Sequence, residues 1–147
     1  MYIWYCALAV LAGMLIPLQA GVNAQLRAWL GSPHYATLVS LIVSLASMSL
    51  VCLASRQPPP DFAAAAQAPW WAWTGGIAGV VLVFLALVLA PKLGATALVA
   101  SIIGGQMLCS LVFDQFALIG FHHHPINLAR IAGTVLLFAG VLLIQRS

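Results

Sequence analysis

Apolar runs long enough to cross a bilayer follow one another along this sequence with hardly a charge among them. A backbone immersed in hydrocarbon must satisfy its own N–H and C=O groups, which leaves helices and closed barrels as the only spanning elements. These runs lack the two-residue alternation of a barrel strand, so the expected element is the helix. Of 147 residues, 64% are hydrophobic and 5% are charged. A soluble domain carries about 25% charged residues because its surface must face water. The solvent for this chain is therefore lipid.

A helical span takes about 20 residues. With breaks at Gly, Pro and charge, five spans fit, near 3–23, 34–55, 72–90, 95–119 and 128–145, and 1–147 reads as a single five-helix transmembrane domain. The connections hold the punctuation: Gly31-Ser32-Pro33, the segment from Arg56 to Pro69 with Pro58-Pro59-Pro60 and Asp61, Pro91-Lys92-Leu93-Gly94, and His122-His123-His124-Pro125. The first span ends in Leu18-Gln19-Ala20-Gly21, loosely like a signal cleavage site. It lacks a positively charged leading segment, so it is expected to stay in the mature protein.

Five spans put the termini on opposite sides. Arg56 and Arg130 then fall on the N-terminal side, and Arg27, Lys92 and Arg146 on the other. So small an excess does not fix orientation under the positive-inside rule, and the chain is expected to insert either way up and pair as an inverted dimer. Trp and Tyr favour the membrane–water boundary. Tyr2, Trp4, Tyr5, Trp70, Trp71 and Trp73 mark one boundary, Trp29 and Tyr35 the other. The net charge of +3 comes without any run of Lys or Arg, which excludes nucleic acid as a partner. Cys6, Cys52 and Cys109 are odd in number and have no CxxC spacing, so they read as small buried hydrophobes. Three consecutive histidines point in different directions and have no neighbouring carboxylate or thiol. They read as a solvated loop, and no metal or cofactor is expected.

Polar groups inside a span are costly and mark internal faces. Thr37, Ser40, Ser44 and Ser47 share one helix face, either as glue between helices or as cavity lining. Gln106, Ser110 and Asp114 recur every fourth residue, with Asp114 the only acid inside a span and roughly 12 Å from Gln106 along the axis. A carboxylate there can receive a cationic substrate or exchange a proton for it. Alternatively, Asp114 pairs with Arg130 across the short connection or bonds backbone groups near its helix end. Gln19 and Asn23 lie one turn apart beyond Pro17, whose missing N–H weakens the helix, and form either a gate or an ordinary span end. The expected substrate or proton contacts are Gln19, Asn23, Gln106 and Asp114, with Ser40, Ser44 and Ser110 lining the path. Gly75 and Gly79, with Gly76 beside them, and Gly105, next to Gly104, are expected to flatten helix faces for packing. With no nucleophile–base pair, metal constellation or phosphate loop, the chain does not read as an enzyme.

Several segments are familiar in order and spacing: Gln19-Ala20-Gly21-Val22-Asn23-Ala24-Gln25-Leu26, Trp70-Trp71-Ala72-Trp73-Thr74-Gly75-Gly76-Ile77-Ala78-Gly79, Pro91-Lys92-Leu93-Gly94-Ala95, Gly105-Gln106, Asp114-Gln115-Phe116, Arg130-Ile131-Ala132-Gly133 and Gly140-Val141. Through them the chain resembles the YdcZ-type family of the drug/metabolite transporter superfamily over nearly its whole length. It departs from the family pattern at Leu41-Ile42-Val43-Ser44-Leu45, where an aromatic and a Gly are expected, and at Ala117, where the family commonly has Gly. The resemblance implies an all-α integral membrane protein whose five helices are half of a ten-helix inverted-repeat transporter, completed by a second copy or a paralogous five-helix unit. It also implies residence in the bacterial inner membrane and export of small metabolites or drugs, commonly by proton exchange. The similar small multidrug transporters carry an essential Glu in their first helix. This chain has no acid there, so a carboxylate mechanism would have to use Asp114. Together these readings give a transporter of a small polar or cationic molecule working by alternating access. The alternatives are a channel-like pore, or a non-transporting membrane subunit of a larger complex.

Overall fold

The computed structural model describes residues 2–146, with side chains from residue 3 onward. Among the described residues every regular element is helical: α1 (Tyr2–Leu30), α2 (Pro33–Ala54), the short α3 (Phe62–Ala65), α4 (Gly75–Phe116) and α5 (Leu128–Arg146), with 3₁₀ turns at Trp70–Thr74 and Leu118–Gly120. The chain is an all-α membrane protein, and α1, α2, α4 and α5 are each long and apolar enough to cross a bilayer.

The chain divides into two compact units, Met1–Lys92 and Leu93–Ser147. The division falls where α4 breaks. At ~1.5 Å per residue the 42 residues of α4 would reach about 63 Å, twice the hydrocarbon thickness of about 30 Å. The break is at Gly94, whose φ of 75° and ψ of 164° leave the helix altogether. That region of backbone space is essentially reserved for glycine. Each arm is then close to the length of one span.

In the first unit α1 packs against α2. Nothing between residues 24 and 30 breaks a helix, so α1 runs on to Leu30, beyond the end near residue 23 expected from the sequence. It passes through Pro17 without ending. At about 43 Å it outreaches the hydrocarbon layer, which carries Arg27 towards the aqueous boundary. Gly31, with φ 66°, stops it, and its N–H closes the last turn on the Arg27 carbonyl at 2.9 Å. Pro33 then starts α2 with a φ already suited to a first helical turn. The buried residues of this pair are small or short: Ala20 and Asn23 on α1, Ala36 and Thr37 on α2. His34 of α2 stacks at a tilt on Phe84 in the first arm of α4, ring centroids 5.1 Å apart.

α2 ends in a Schellman arrangement, in which the N–H of Gln57 reaches the Cys52 carbonyl and that of Arg56 the Leu53 carbonyl, both at 3.2 Å. Arg56 holds the left-handed position (φ 50°) that usually falls to glycine. Asp61 caps α3, its carboxylate accepting from the N–H groups of Ala63 and Ala64. The aromatic cluster before α4 sits in the 3₁₀ turn Trp70–Thr74 and is exposed, as are Trp4, Tyr5, Trp29 and Tyr35. The side chain of Tyr2 lies outside the described residues.

In the second unit the second arm of α4 meets α5. A Cβ on Gly104 would stand 3.4 Å from the Phe138 ring, so a small residue there lets the aromatic approach the helix backbone. Near the end of α5 the Gln145 side-chain amide donates to the Ser101 hydroxyl at 3.0 Å. Ala117, in the left-handed region at φ 50° and ψ 40°, ends α4 at Phe116. Ile119 and Gly120 follow with positive φ.

The cysteines correct an expectation. All three are exposed rather than buried. In a lipid-spanning chain the apolar surroundings lie outside the helix, so a small hydrophobe has no need of an interior.

Candidate functional site

Two kinds of polar side chain sit on the long helices: those that have found a partner and those that have not. Most of the hydroxyls belong to the first kind; those of Ser40 and Thr96 have no partner among the described residues. Thr37 donates to the Pro33 carbonyl, Ser44 to Ser40, Ser47 to Val43, Ser101 to Ala97 and Ser110 to Met107, at 2.7 to 2.9 Å. Each bond returns to the residue's own helix, which satisfies the hydroxyl without a neighbour. Of the expected path-lining residues, Ser40 is half-buried while Ser44 and Ser110 are exposed. The serine face of α2 is therefore tolerated at bilayer depth without bonding across to another helix.

Asp114 also has its partners. Its carboxylate accepts from Arg130 Nη1 at 3.1 Å, and the same nitrogen donates to the His124 carbonyl at 3.0 Å. The Asp114 carbonyl accepts from the His124 N–H at 2.9 Å. One residue on, Gln115 Oε1 accepts from the Ile126 N–H at 2.7 Å, and Asn127 Oδ1 caps α5 by accepting from the Arg130 N–H at 2.9 Å. Phe113 stacks on Phe121 with ring centroids 5.9 Å apart. Together these contacts stitch the connection 117–127 to both helices it joins. The sequence offered two roles for Asp114, and the geometry is that of the ion pair with Arg130.

Sequence reasoning did not single out Gln115, Asn127 or His124 as members of this cluster. The pattern Asn127-x-x-Arg130 is a helix N-cap signal, and that was the available clue.

The amides of Gln19, Asn23 and Gln106 belong to the second kind. Gln19 and Gln106 are exposed, and neither has a hydrogen-bond partner among the described residues. Asn23 is different: only 6% of it is exposed, yet its amide is also unbonded. No side-chain nitrogen or oxygen among the described residues is both fully enclosed and unpartnered, so the Asn23 amide keeps an opening to its surroundings. The glycines divide in the same way. Gly104 packs within the chain, whereas a Cβ on Gly75, Gly79 or Gly105 would meet nothing within 4 Å.

No group of three or more potential metal ligands lies together among the described residues.

Residues 4–143 match a protein family described as "Putative inner membrane exporter, YdcZ". No curated protein and no solved structure matches the chain.

Proposed function

The chain belongs to the YdcZ-type family of the drug/metabolite transporter superfamily, and from that premise we propose that it carries a small molecule across the inner membrane by alternating access, as a pair of inverted copies. It is a multi-pass membrane protein of an exporter family. Its five helices act as one half of the carrier, and the solute path lies between the two copies.

The observation that carries this reading is the set of unpartnered amides at Gln19, Asn23 and Gln106. A polar group left unbonded in hydrocarbon costs several kcal/mol, so such groups face water, a solute or another protein surface. A second copy, placed over the open glycine face at Gly75 and Gly79 in the first unit or at Gly105 in the second, would supply both the surface and an enclosed hydrated space. The near balance of basic residues on the two sides supports insertion in both orientations.

The test is reconstitution of the purified chain into liposomes, with single cysteines introduced at the two ends on a background lacking Cys6, Cys52 and Cys109. The expected result is cross-linking of opposite ends between copies, together with solute flux that saturates. Cross-links only between like ends would remove the inverted pairing, and flux rising without limit would make the protein a pore.

A further inference from the structure

The chain has two acidic residues in all, and the structure assigns work to both. Asp61 caps α3 in the connection between α2 and α4. Asp114, the one acid on a membrane-spanning helix, is the counter-ion of Arg130 and ties the α4–α5 connection through the His124 backbone. A carboxylate already held by a guanidinium offers little field to a second cation, because the pair presents a dipole rather than a net charge. Arg27, Arg56, Lys92 and Arg146 add positive charge, and no ion pair covers them among the described residues. These features all disfavour a cationic solute.

Of the two buried polar side chains among the described residues, Asn23 and Thr37, only the Asn23 amide remains free. Asn23 is more than nine-tenths buried and unbonded, and its amide is open to approach. It offers two N–H donors and a carbonyl acceptor with no net charge. The buried hydroxyl of α2, Thr37, is already committed to the Pro33 carbonyl. A buried amide of this kind rewards a ligand that both gives and takes hydrogen bonds. It discriminates against one that cannot, because such a ligand displaces water from the amide and leaves it unpaired.

We infer that the transported solute is a neutral, hydrogen-bonding molecule held through the Asn23 amide, with Asp114 withdrawn from the solute path as the latch of the α4–α5 connection. This rests on the transport reading above and deepens it by naming the substrate class.

The experiment is a thermal-unfolding screen of the full chain in detergent, paired with flux of the same probes into liposomes. Sorbitol, glucose and nicotinamide serve as neutral probes, with tetraphenylphosphonium and guanidinium as cations. A neutral probe at ten times its Kd raises the midpoint by about 4 °C, and the cations leave it in place. Asn23→Ala abolishes the shift. Should that variant fail to fold, Asn23→Ser, whose hydroxyl can bond back to its own helix as Ser44 does, shows the same loss. Asp114→Asn starts from a lower midpoint and keeps the full ligand shift.

Retention of the shift in the Asn23 variants overturns the inference. So does a midpoint raised by a cation and lost in Asp114→Asn, which would leave the transport reading standing with a cationic substrate. Absence of both shift and flux for every probe overturns the inference and the transport reading together.

Discussion

The α1–α2 pair and the α4–α5 pair solve the same problem, joining two apolar helices in lipid, in opposite ways. The first is joined by Gly31 and Ser32 alone and buries Ala20, Asn23, Ala36 and Thr37, with no side-chain hydrogen bond crossing between the two helices among the described residues. The second carries the long connection 117–127. It is held by Arg130 on Asp114, Gln115 on Ile126, and Gln145 on Ser101. A short turn constrains its helices by covalent geometry, whereas a longer connection carries more closure entropy and needs bonds to define it. The consequence reaches function: the second pair spends Asp114, Gln115 and Gln145 on its own architecture and, among the described residues, leaves only the exposed Gln106 amide free, while the first leaves the buried Asn23 available.

The largest expected effect comes from the backbone where the second unit begins. Gly94 at φ 75° and ψ 164° occupies a region closed to residues with a Cβ. Gly94→Ala is expected to destabilise the protein by about 3 kcal/mol, or roughly 10 °C in the midpoint of thermal unfolding. Gly105→Ala, at a helical position with open space around it, should cost little by the same measurement in isolated monomers. A small loss at Gly94 would mean that the break in α4 is not fixed there.

Next comes the latch. Arg130→Ala removes the charge-assisted bond to Asp114 and the bond to the His124 carbonyl. The pair is about one-third exposed, with side-chain accessibilities of 32% and 27%, which places the expected cost near 2 kcal/mol. Arg130→Lys keeps the charge but not the planar fork and should lose about half of that. Both losses should appear as faster thermolysin cleavage within 117–127, because the connection opens locally before the helices do. If cleavage is unchanged, the two pairs do not differ in the way described.

The sequence made the all-helical membrane character plain, because the scarcity of charge constrains every span at once. Pro91-Lys92-Leu93-Gly94 reads as punctuation, and the backbone leaves the helix at its glycine. The pairing of Asp114 with Arg130 was one of two readings that spacing allowed. Spacing along one helix says which residues share a face, not which atom a side chain reaches. For that reason the serines of α2 looked able to bond across helices, while the hydroxyls of Ser44 and Ser47 in fact return to carbonyls of their own helix. Gly104 and Gly105 are alike as letters, and the direction of Phe138 makes Gly104 the packed one. The openness of Asn23 depends on what surrounds it in three dimensions, which no periodicity encodes.

The departure at Ala117 acquires a physical meaning from its backbone. Its φ of 50° and ψ of 40° are left-handed, a conformation that costs an alanine roughly 1 kcal/mol and a glycine almost nothing. The glycine that the family resemblance led one to expect at this place fits that conformation. Ala117→Gly is therefore expected to stabilise the second unit, by about 0.5 kcal/mol once the greater freedom of the unfolded glycine is set against the relieved strain. The midpoint should rise by one or two degrees, as about 2–4 °C per kcal/mol applies at this size. A fall would show that the connection does not hold Ala117 in the left-handed well.

An effect of similar size discriminates most finely between the two pairs. Ser44 and Ser101 both donate to a carbonyl four residues back, at 2.9 and 2.7 Å, so in that respect Ser→Ala removes the same bond at either place. Ser101 has a second engagement, accepting from the Gln145 amide of α5. Bonds between helices in a membrane average about 0.6 kcal/mol by double-mutant cycle. Ser44→Ala should therefore be close to neutral, whereas Ser101→Ala should cost about 0.6 kcal/mol more and strand the Gln145 amide. Gln145→Leu should cost a similar amount alone and nothing further on the Ser101→Ala background, since one interaction is lost once. Additive losses in that double mutant would show that Ser101 and Gln145 act separately, and cross-helix bonding would then no longer distinguish the second pair at this end.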